Sequence, residues 1–335
     1  MPRYRHRLPQ LDAAGFLTDG GLETVLVFDR GIDLPQFAAF PLLDSPDGRD
    51  ELRRYYESFL AVARRHRTGF LLDTPTWRAN PDWAASLGYA PQNLRRINRD
   101  AVDFVAALRD AWEAPRSPCV LNGVVGPRGA GYGPGMVEAA AAEDYHGPQV
   151  ETFAASEADM VSAITMNSAG EAIGITRAAR AQAIPCVISF TVETDGRLVD
   201  GSTLRAAVEA VEDATDAGPA YYMVNCAHPT HFAGALERGE AWARRIGGVR
   251  ANASTKSHAE LDESTTLDNG DPQDLGRRYR ALRRDFPELR VLGACPRHAG
   301  VVARQASAMA PTWRWSVPQQ PPSTRSSGKS RRSAR

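Results

Sequence analysis

The fold of this chain is indicated by the stretch Tyr221-Tyr222-Met223-Val224-Asn225-Cys226-Ala227-His228-Pro229. A short apolar run of this kind is typical of a strand covered on both faces, as in a parallel sheet. The proline cannot donate to a strand ladder, so we expect the strand to end before it. Asn225 and Cys226 are therefore predicted to leave the carboxyl end of the strand, where α/β barrels and open α/β sheets carry out their chemistry.

Strand-like runs alternate along the chain with stretches of helical spacing. The strand signals lie at residues 14–18, 69–77, 119–127, 159–165, 185–191, 221–229, 247–253 and 289–295. Helical spacing of apolar residues occurs at residues 48–67, 92–113, 144–157, 169–182, 203–216, 232–244 and 272–286. This alternation predicts a single (β/α)8 TIM-type barrel, with a doubly wound open sheet as the second option. No glycine-rich dinucleotide turn follows the first strand, which argues against the open sheet.

The barrel domain is predicted to occupy residues 1–310, followed by a disordered tail over residues 311–335. The tail is rich in proline, serine and arginine, and residues 323–335 carry only basic charge. Such a segment offers too little apolar surface to fold, so we expect it to be solvated.

Composition narrows the possible classes of function. Forty basic residues balance forty acidic ones, so the chain lacks the overall positive charge of a nucleic-acid-binding or membrane-surface protein. No run of about 18 apolar residues is present, and no membrane-spanning helix is predicted. Four cysteines in 335 residues do not form a disulfide framework and are typical of the reducing cytosol. We therefore predict a soluble, cytoplasmic enzyme.

Two of the cysteines stand where a barrel places its chemistry. Cys226 and Cys295 end predicted strands six and eight, so both thiols are expected at one rim, where they suit a soft metal ion. Spacing alone leaves a second interpretation open, because no C-x-x-C or H-E-x-x-H motif is present and free cysteines are often small core side chains. Cys119 and Cys186 begin their strands and are predicted to belong to the core.

Polar residues near other predicted strand ends extend the candidate pocket. Carboxylates there suit a substrate ammonium group or a general base, and they are Asp19, Glu23, Asp73 and Glu193. Glu23 is better explained as a helix cap. The backbone amides of Gly20 and Gly21, with the amides of Asn225 and Asn252, suit a substrate carboxylate. Further candidate ligands or bases are the histidines His228, His231 and His298.

Several short motifs, in the same order along the chain, resemble those of the homocysteine S-methyltransferase family. The resemblance extends over about residues 14–295. It is carried by Asp19-Gly20-Gly21-Leu22-Glu23-Thr24, Thr74-Pro75-Thr76-Trp77 with Asn80, Gly126-Pro127-Arg128-Gly129, Asn225-Cys226, Asn252 and Leu292-Gly293-Ala294-Cys295.

This resemblance implies a (β/α)8 barrel that binds Zn²⁺ through cysteines, of which Cys226 and Cys295 carry over. It further implies that the zinc holds the sulfur of homocysteine as a thiolate. A small donor (S-methylmethionine, S-adenosylmethionine or a betaine-like molecule) would then supply the methyl group and give methionine. The substrate would be framed by Asp19, Gly20, Gly21, Thr76 and Asn252.

The chain departs from the family pattern in two places. Pro296 stands where the family has a second adjacent cysteine, and Arg297-His298 replaces its Gly-Thr. An altered reading frame after Cys295 is one hypothesis for this change and for the basic tail. Ile164 stands where many members have a glutamate that meets the ammonium group of homocysteine.

These departures leave alternatives to the methyltransferase open. The first is a catalytically impaired barrel of the same family that only binds a small molecule, because Pro296 replaces a metal ligand. A metal-free lyase or aldolase ranks last, because no lysine ends a strand near Cys226.

Overall fold

The computed structural model describes residues 1–12, 15–129, 137–263, 268 and 270–295. Eight parallel strands form a closed barrel in chain order, and the first strand pairs with the last. The strands are β1 (Phe16–Thr18), β2 (Gly69–Asp73), β3 (Cys119–Val125), β4 (Met160–Met166), β5 (Cys186–Phe190), β6 (Tyr221–Asn225), β7 (Ile246–Asn252) and β8 (Val291–Cys295). The predicted (β/α)8 barrel is thus confirmed, and the open sheet is excluded. The predicted tail, residues 311–335, lies outside the described residues.

α-Helices alternate with the strands, and the longer ones cover the outside of the barrel. Within the described part of the chain they are α1 (Pro9–Asp12), α2 (Leu22–Thr24), α3 (Pro46–His66), α4 (Pro81–Ser86), α5 (Pro91–Trp112), α6 (Ala139–Ala154), α7 (Ala169–Ala181), α8 (Leu204–Thr215), α9 (Pro229–Phe232), α10 (Ala241–Arg244), α11 (His258–Asp262) and α12 (Pro272–Asp285). None of these helices is long and apolar enough to cross a membrane.

Helix α3 shows how the sequence produces this covering layer. Its buried residues recur at intervals of three and four, so one face of the helix packs against the barrel. The hydroxyl of Ser45 accepts from the amide of Gly48 and caps the first turn. This face carries Tyr55 and Tyr56, which are fully buried.

The predicted helix over residues 232–244 is wrong. The chain forms α9, a 3-10 turn over Ala233–Ala235 and α10 instead. Gly239 has a φ of +84°, a left-handed conformation that a right-handed helix cannot contain. The apolar residues of this stretch therefore belong to several short helical segments and not to one helix.

The strands are buried along almost their whole length, because the barrel interior covers one face and the helices cover the other. The apolar side chains of both faces form the main core. Cys119 and Cys186 are buried at the amino ends of β3 and β5, which confirms their predicted place in the core.

Candidate functional site

A pocket opens at the carboxyl ends of the strands. Its lining includes the turn after β1 (residues 19–24), the end of β2 with the loop after it (residues 73–75 and Trp77), and the thiol-bearing residue after β6, Cys226. This end of a (β/α)8 barrel is where enzymes of this fold place their active sites. The pocket is therefore the candidate functional site.

A buried ion triad forms one side of the pocket. The guanidinium of Arg250, on β7, donates from Nη1 to Asp73 Oδ2 at 2.6 Å and from Nη2 to Asp19 Oδ1. Arg250 Nη2 also donates to the carbonyl of Gly20 at 3.0 Å. One cation thus links the ends of β7, β1 and β2, which are far apart in the sequence.

The barrel wall is shaped to let Arg250 reach across it. A Cβ atom at Gly293 of β8 would lie 2.7 Å from Arg250 Cγ and 2.0 Å from Thr18 Oγ1. Real Cβ atoms do not approach other heavy atoms so closely, so a side chain at this position would displace the arginine. The absence of a side chain at Gly293 therefore leaves the space that the side chain of Arg250 occupies.

The two carboxylates of the triad have further partners. The hydroxyl of Tyr55 donates to Asp19 Oδ2 at 3.1 Å, and the side-chain amide of Asn122 donates to Asp73 Oδ1 at 2.7 Å. All four carboxylate oxygens of the triad thus accept a hydrogen bond from the protein. Burial raises the pKa of Asp19 to about 7, although the charge of Arg250 acts in the opposite direction.

Glu23 is the third carboxylate of the pocket. Desolvation raises its pKa to about 7, while its own backbone amide and the charges of Arg250 and Arg78 act to lower it. Glu23 thus adds a third carboxylate to the part of the pocket that holds Asp19, Asp73 and Arg250.

Cys226 is held in an unusual backbone conformation directly after β6. Its φ is +55°, in the left-handed region that non-glycine residues rarely occupy. Its amide donates to the carbonyl of Arg250 at 3.0 Å. Its carbonyl accepts from the side-chain amide of Asn252 at 2.7 Å and from Nε2 of His258 at 2.8 Å. These hydrogen bonds fix the backbone that presents the thiol to the pocket.

His258 has a second polar neighbour. Its Nδ1 lies 3.0 Å from Oε1 of Glu193, a residue that follows β5. The ring thus has one contact on each nitrogen, with the Glu193 carboxylate on one side and the carbonyl of Cys226 on the other. Together the two contacts fix the orientation of the ring. His258 is thus a positioning residue for Cys226.

Not all of the predicted substrate-binding residues face the pocket. Asp19, Gly20 and Gly21 line it, as does Cys226. The hydroxyl of Thr76 instead contacts that of Thr74 at 2.6 Å and donates to the carbonyl of Val124 at 2.7 Å. The side chain of Asn252 contacts the backbone of Cys226, as described above. Both residues support the pocket walls in this structure.

Asn225 and the two described candidate histidines also have partners within the protein. The side chain of Asn225 accepts from Ser189 Oγ at 2.6 Å and donates to Thr165 Oγ1 at 3.0 Å. His228 caps α9 through Thr230, and burial lowers its pKa to about 4, so its ring is neutral at pH 7. Nε2 of His231 contacts the carbonyl of Thr255 at 3.0 Å. His298 lies outside the described residues.

The backbone places both predicted cysteine ligands at the carboxyl ends of neighbouring parts of the barrel. Cys295 is the last residue of β8 and pairs with Asn252 of β7. Cys226 comes directly after Asn225, which ends β6 and pairs with Arg250 of β7. Both cysteines therefore belong to one rim, separated by a single strand, although the side chain of Cys295 is outside the description. Among the described residues, no group of three or more histidines, cysteines or carboxylates could hold a metal ion. Cys226 fits as one thiol ligand, since it is half-buried at the pocket.

The sequence interpretation missed the two residues that organise this site, Arg250 and His258. Arg250 carries a charge inside the apolar run of strand seven, which is a signal of a buried ion pair or a ligand. His258 follows Ser257, whose capping box with Glu260 marks the start of α11. Its contact with Cys226, 32 residues away, has no signature in the sequence.

A closed (β/α)8 barrel with charged groups and a thiol in a pocket at its carboxyl end has the architecture of a barrel enzyme. The chain belongs to the homocysteine S-methyltransferase family, whose model matches residues 16–299. The protein is thus a methyltransferase-type enzyme, and its family supports S-methyl transfer to homocysteine. No curated protein sequence matches the chain.

Crystal structures of the homocysteine methyltransferase MmuM from Escherichia coli are similar to this structure. The metallated form superposes with a TM-score of 0.68 at 19% sequence identity, and the oxidized form with a TM-score of 0.70 at 20%. Both alignments cover 91% of this chain and 99% of that chain. At these identities the likeness establishes the fold.

Proposed function

We propose that this protein transfers a methyl group from a small sulfonium or betaine-like donor to the thiol of homocysteine, giving methionine. The observation that carries the proposal is the position of Cys226. It stands half-buried at the carboxyl end of β6, in the pocket that also contains the Asp19-Gly20-Gly21 turn. S-Methylmethionine, S-adenosylmethionine and betaine are the donors to test.

Cys226 and Cys295 are the proposed ligands of a zinc ion. The metallated form of the E. coli enzyme supports a metal in a protein of this fold. A bound zinc would supply a positive charge that removes the proton from an incoming thiol, whose ordinary pKa near 8.5 leaves it mostly protonated at pH 7. Asn252 and His258 hold the Cys226 carbonyl, so they would orient this ligand.

The pocket also supports the alignment of the two substrates. Close packing at a buried rim holds two reactants in contact and lowers the entropic cost of the transfer. Two parts of the pocket are held in place by hydrogen bonds and can serve this purpose. They are the Arg250 ion triad and the backbone at Cys226. A cytosolic location, predicted from cysteine usage, remains part of the proposal.

The test is formation of methionine by the purified protein. The assay supplies homocysteine with each donor in turn and follows the product by mass spectrometry. Methionine formation with one donor is the expected result. No product with any donor, at a full equivalent of bound zinc, would contradict the proposal. The impaired-barrel alternative, which depends on Pro296 outside the described residues, is not favoured by the family match.

A further inference from the structure

The proposed substrate carries an ammonium group, and the lining residue Ile164 of the fourth strand cannot pair with it. Ile164 lines the pocket from β4 and offers no charge. An ammonium group that leaves water needs a carboxylate or several hydrogen-bond acceptors, because an unpaired buried charge is very costly. The pocket must therefore supply this partner from another strand or turn.

The carboxylates of the described lining are Asp19, Asp73 and Glu23. Asp19 and Asp73 share the guanidinium of Arg250, and each of their oxygens accepts a hydrogen bond from the protein. Each oxygen keeps a second lone pair, but the charge of both carboxylates is already shared with the buried Arg250 guanidinium. These two carboxylates therefore have less charge to offer a ligand.

Glu23 differs from them in its contacts. Within the described residues, its carboxylate has no hydrogen bond or ion pair to another side chain, although it lines the pocket and is partly exposed there. Positive charge near it comes from Arg250 and Arg78. Among the described residues, the Glu23 carboxylate thus has a hydrogen bond from its own backbone amide but no side-chain partner.

A second group in the same pocket lacks a partner among the residues that the structure describes. The hydroxyl of Tyr56 is buried, and no hydrogen-bond partner for it exists among the described residues. Tyr56 lines the pocket, and the charge of Glu23 is among those that raise the pKa of its hydroxyl. A buried polar atom is rarely left unpaired, so a ligand atom is the natural partner for this one.

We infer that Glu23, together with the hydroxyl of Tyr56, binds the ammonium group of the thiol amino acid, the task that Ile164 cannot perform. The carboxylate supplies the charge, and the phenol oxygen accepts a second N–H of the ammonium group. This inference rests on the proposed function for the identity of the substrate. It assigns specificity to a residue of α2 that the sequence pattern explains as a helix cap.

The experiment measures the dissociation constant of L-homocysteine by titration calorimetry, with 4-mercaptobutanoate as a ligand that lacks the amino group. Glu23→Gln should weaken homocysteine binding about 10- to 150-fold, the range for a hydrogen bond to a charged group. It should change the binding of 4-mercaptobutanoate less than threefold. The exposed Glu209→Gln, on α8, is the matched control and should change neither constant.

Two further variants keep the test decisive. Tyr56→Phe removes only the hydroxyl and should weaken homocysteine binding about 2- to 10-fold, the effect of a neutral hydrogen bond, with no loss for 4-mercaptobutanoate. Glu23→Gln combined with Ile164→Glu should recover at least tenfold of the lost affinity, because a carboxylate returns to the pocket. Thermal melting of each variant confirms that it folds.

The inference is overturned if Glu23→Gln weakens both ligands equally or weakens neither. It is also overturned if the double variant shows no recovery. Binding and methyl transfer are measured separately, so the two proposals can fail independently. A protein that binds homocysteine through Glu23 but forms no methionine with any donor would contradict only the proposed function.

Discussion

Replacing Arg250 by methionine tests the role of the buried ion triad. The arginine side chain is only 10% exposed, and its removal leaves Asp19 and Asp73 buried without their shared cation. Breaking a buried pair by removing one partner costs about 3–5 kcal/mol. Methionine fills most of the vacated volume, so we assign the loss to the uncompensated carboxylates and expect it in this range at pH 8.5.

The loss should depend on pH in a defined direction. Burial already raises the pKa of Asp19 to about 7, and Arg250 acts to lower it. Without the guanidinium this pKa rises further above its unfolded value. A carboxyl whose native pKa exceeds its unfolded pKa loses stability as the pH rises through the native pKa. Arg250→Met should therefore be less destabilising at pH 5.5, where Asp19 is protonated, than at pH 8.5.

The assay is urea unfolding at pH 5.5, 7.0 and 8.5, with the free energy of unfolding compared to the wild type at each pH. Arg205→Met is the matched control, because Arg205 forms exposed ion pairs with Glu209 and Glu237, and its removal should leave the free energy of unfolding almost unchanged at every pH. Asp19→Asn combined with Arg250→Met should recover part of the loss at pH 8.5. A loss below 1 kcal/mol at every pH, or one that does not change with pH, would refute the reasoning.

Three further predictions concern the walls and ligands of the pocket. Gly293→Ala should displace Arg250 and lower the free energy of unfolding by about 1–3 kcal/mol, measured in urea. Equal stability of this variant and the wild type would contradict the close packing described here. His258→Leu should reduce zinc affinity about 10- to 100-fold in a chelator competition, as expected for a residue that orients a ligand. An unchanged zinc affinity of His258→Leu would contradict the positioning role of His258. Homocysteine affinity should fall as the pH drops through about 7, where Glu23 becomes protonated, and this part of the fall should be absent in Glu23→Gln. Identical pH profiles of the two proteins would count against that role.

The barrel could be predicted because its strands are buried on both faces and therefore form continuous apolar runs, as in residues 221–224. The helix over residues 232–244 could not be excluded from apolar spacing, because the interruption comes from the backbone conformation of Gly239. Strand bounds differ by one to a few residues, since the ends of strands depend on pairing partners that the sequence does not show.

Parts of the site were predictable for a related reason. Asp19 and Cys226 follow strand ends directly, and a parallel barrel brings all such ends to one rim. The triad was not predictable, because Arg250 meets Asp73 and Asp19 across 177 and 231 residues of sequence. Asn252 shows a second limit. Its place at a strand end was visible, but whether its amide faces the pocket or the neighbouring backbone depends on the turn at Cys226.

The most direct test of the central claim is the zinc content of the purified protein and of its Cys226→Ser variant. Cys186→Ser is the matched control, because that thiol is buried at the opposite end of the barrel. We predict close to one equivalent of zinc in the wild type and in Cys186→Ser, and well below one in Cys226→Ser. Equal zinc in all three proteins, or none in the wild type, would contradict a metal-binding role for Cys226.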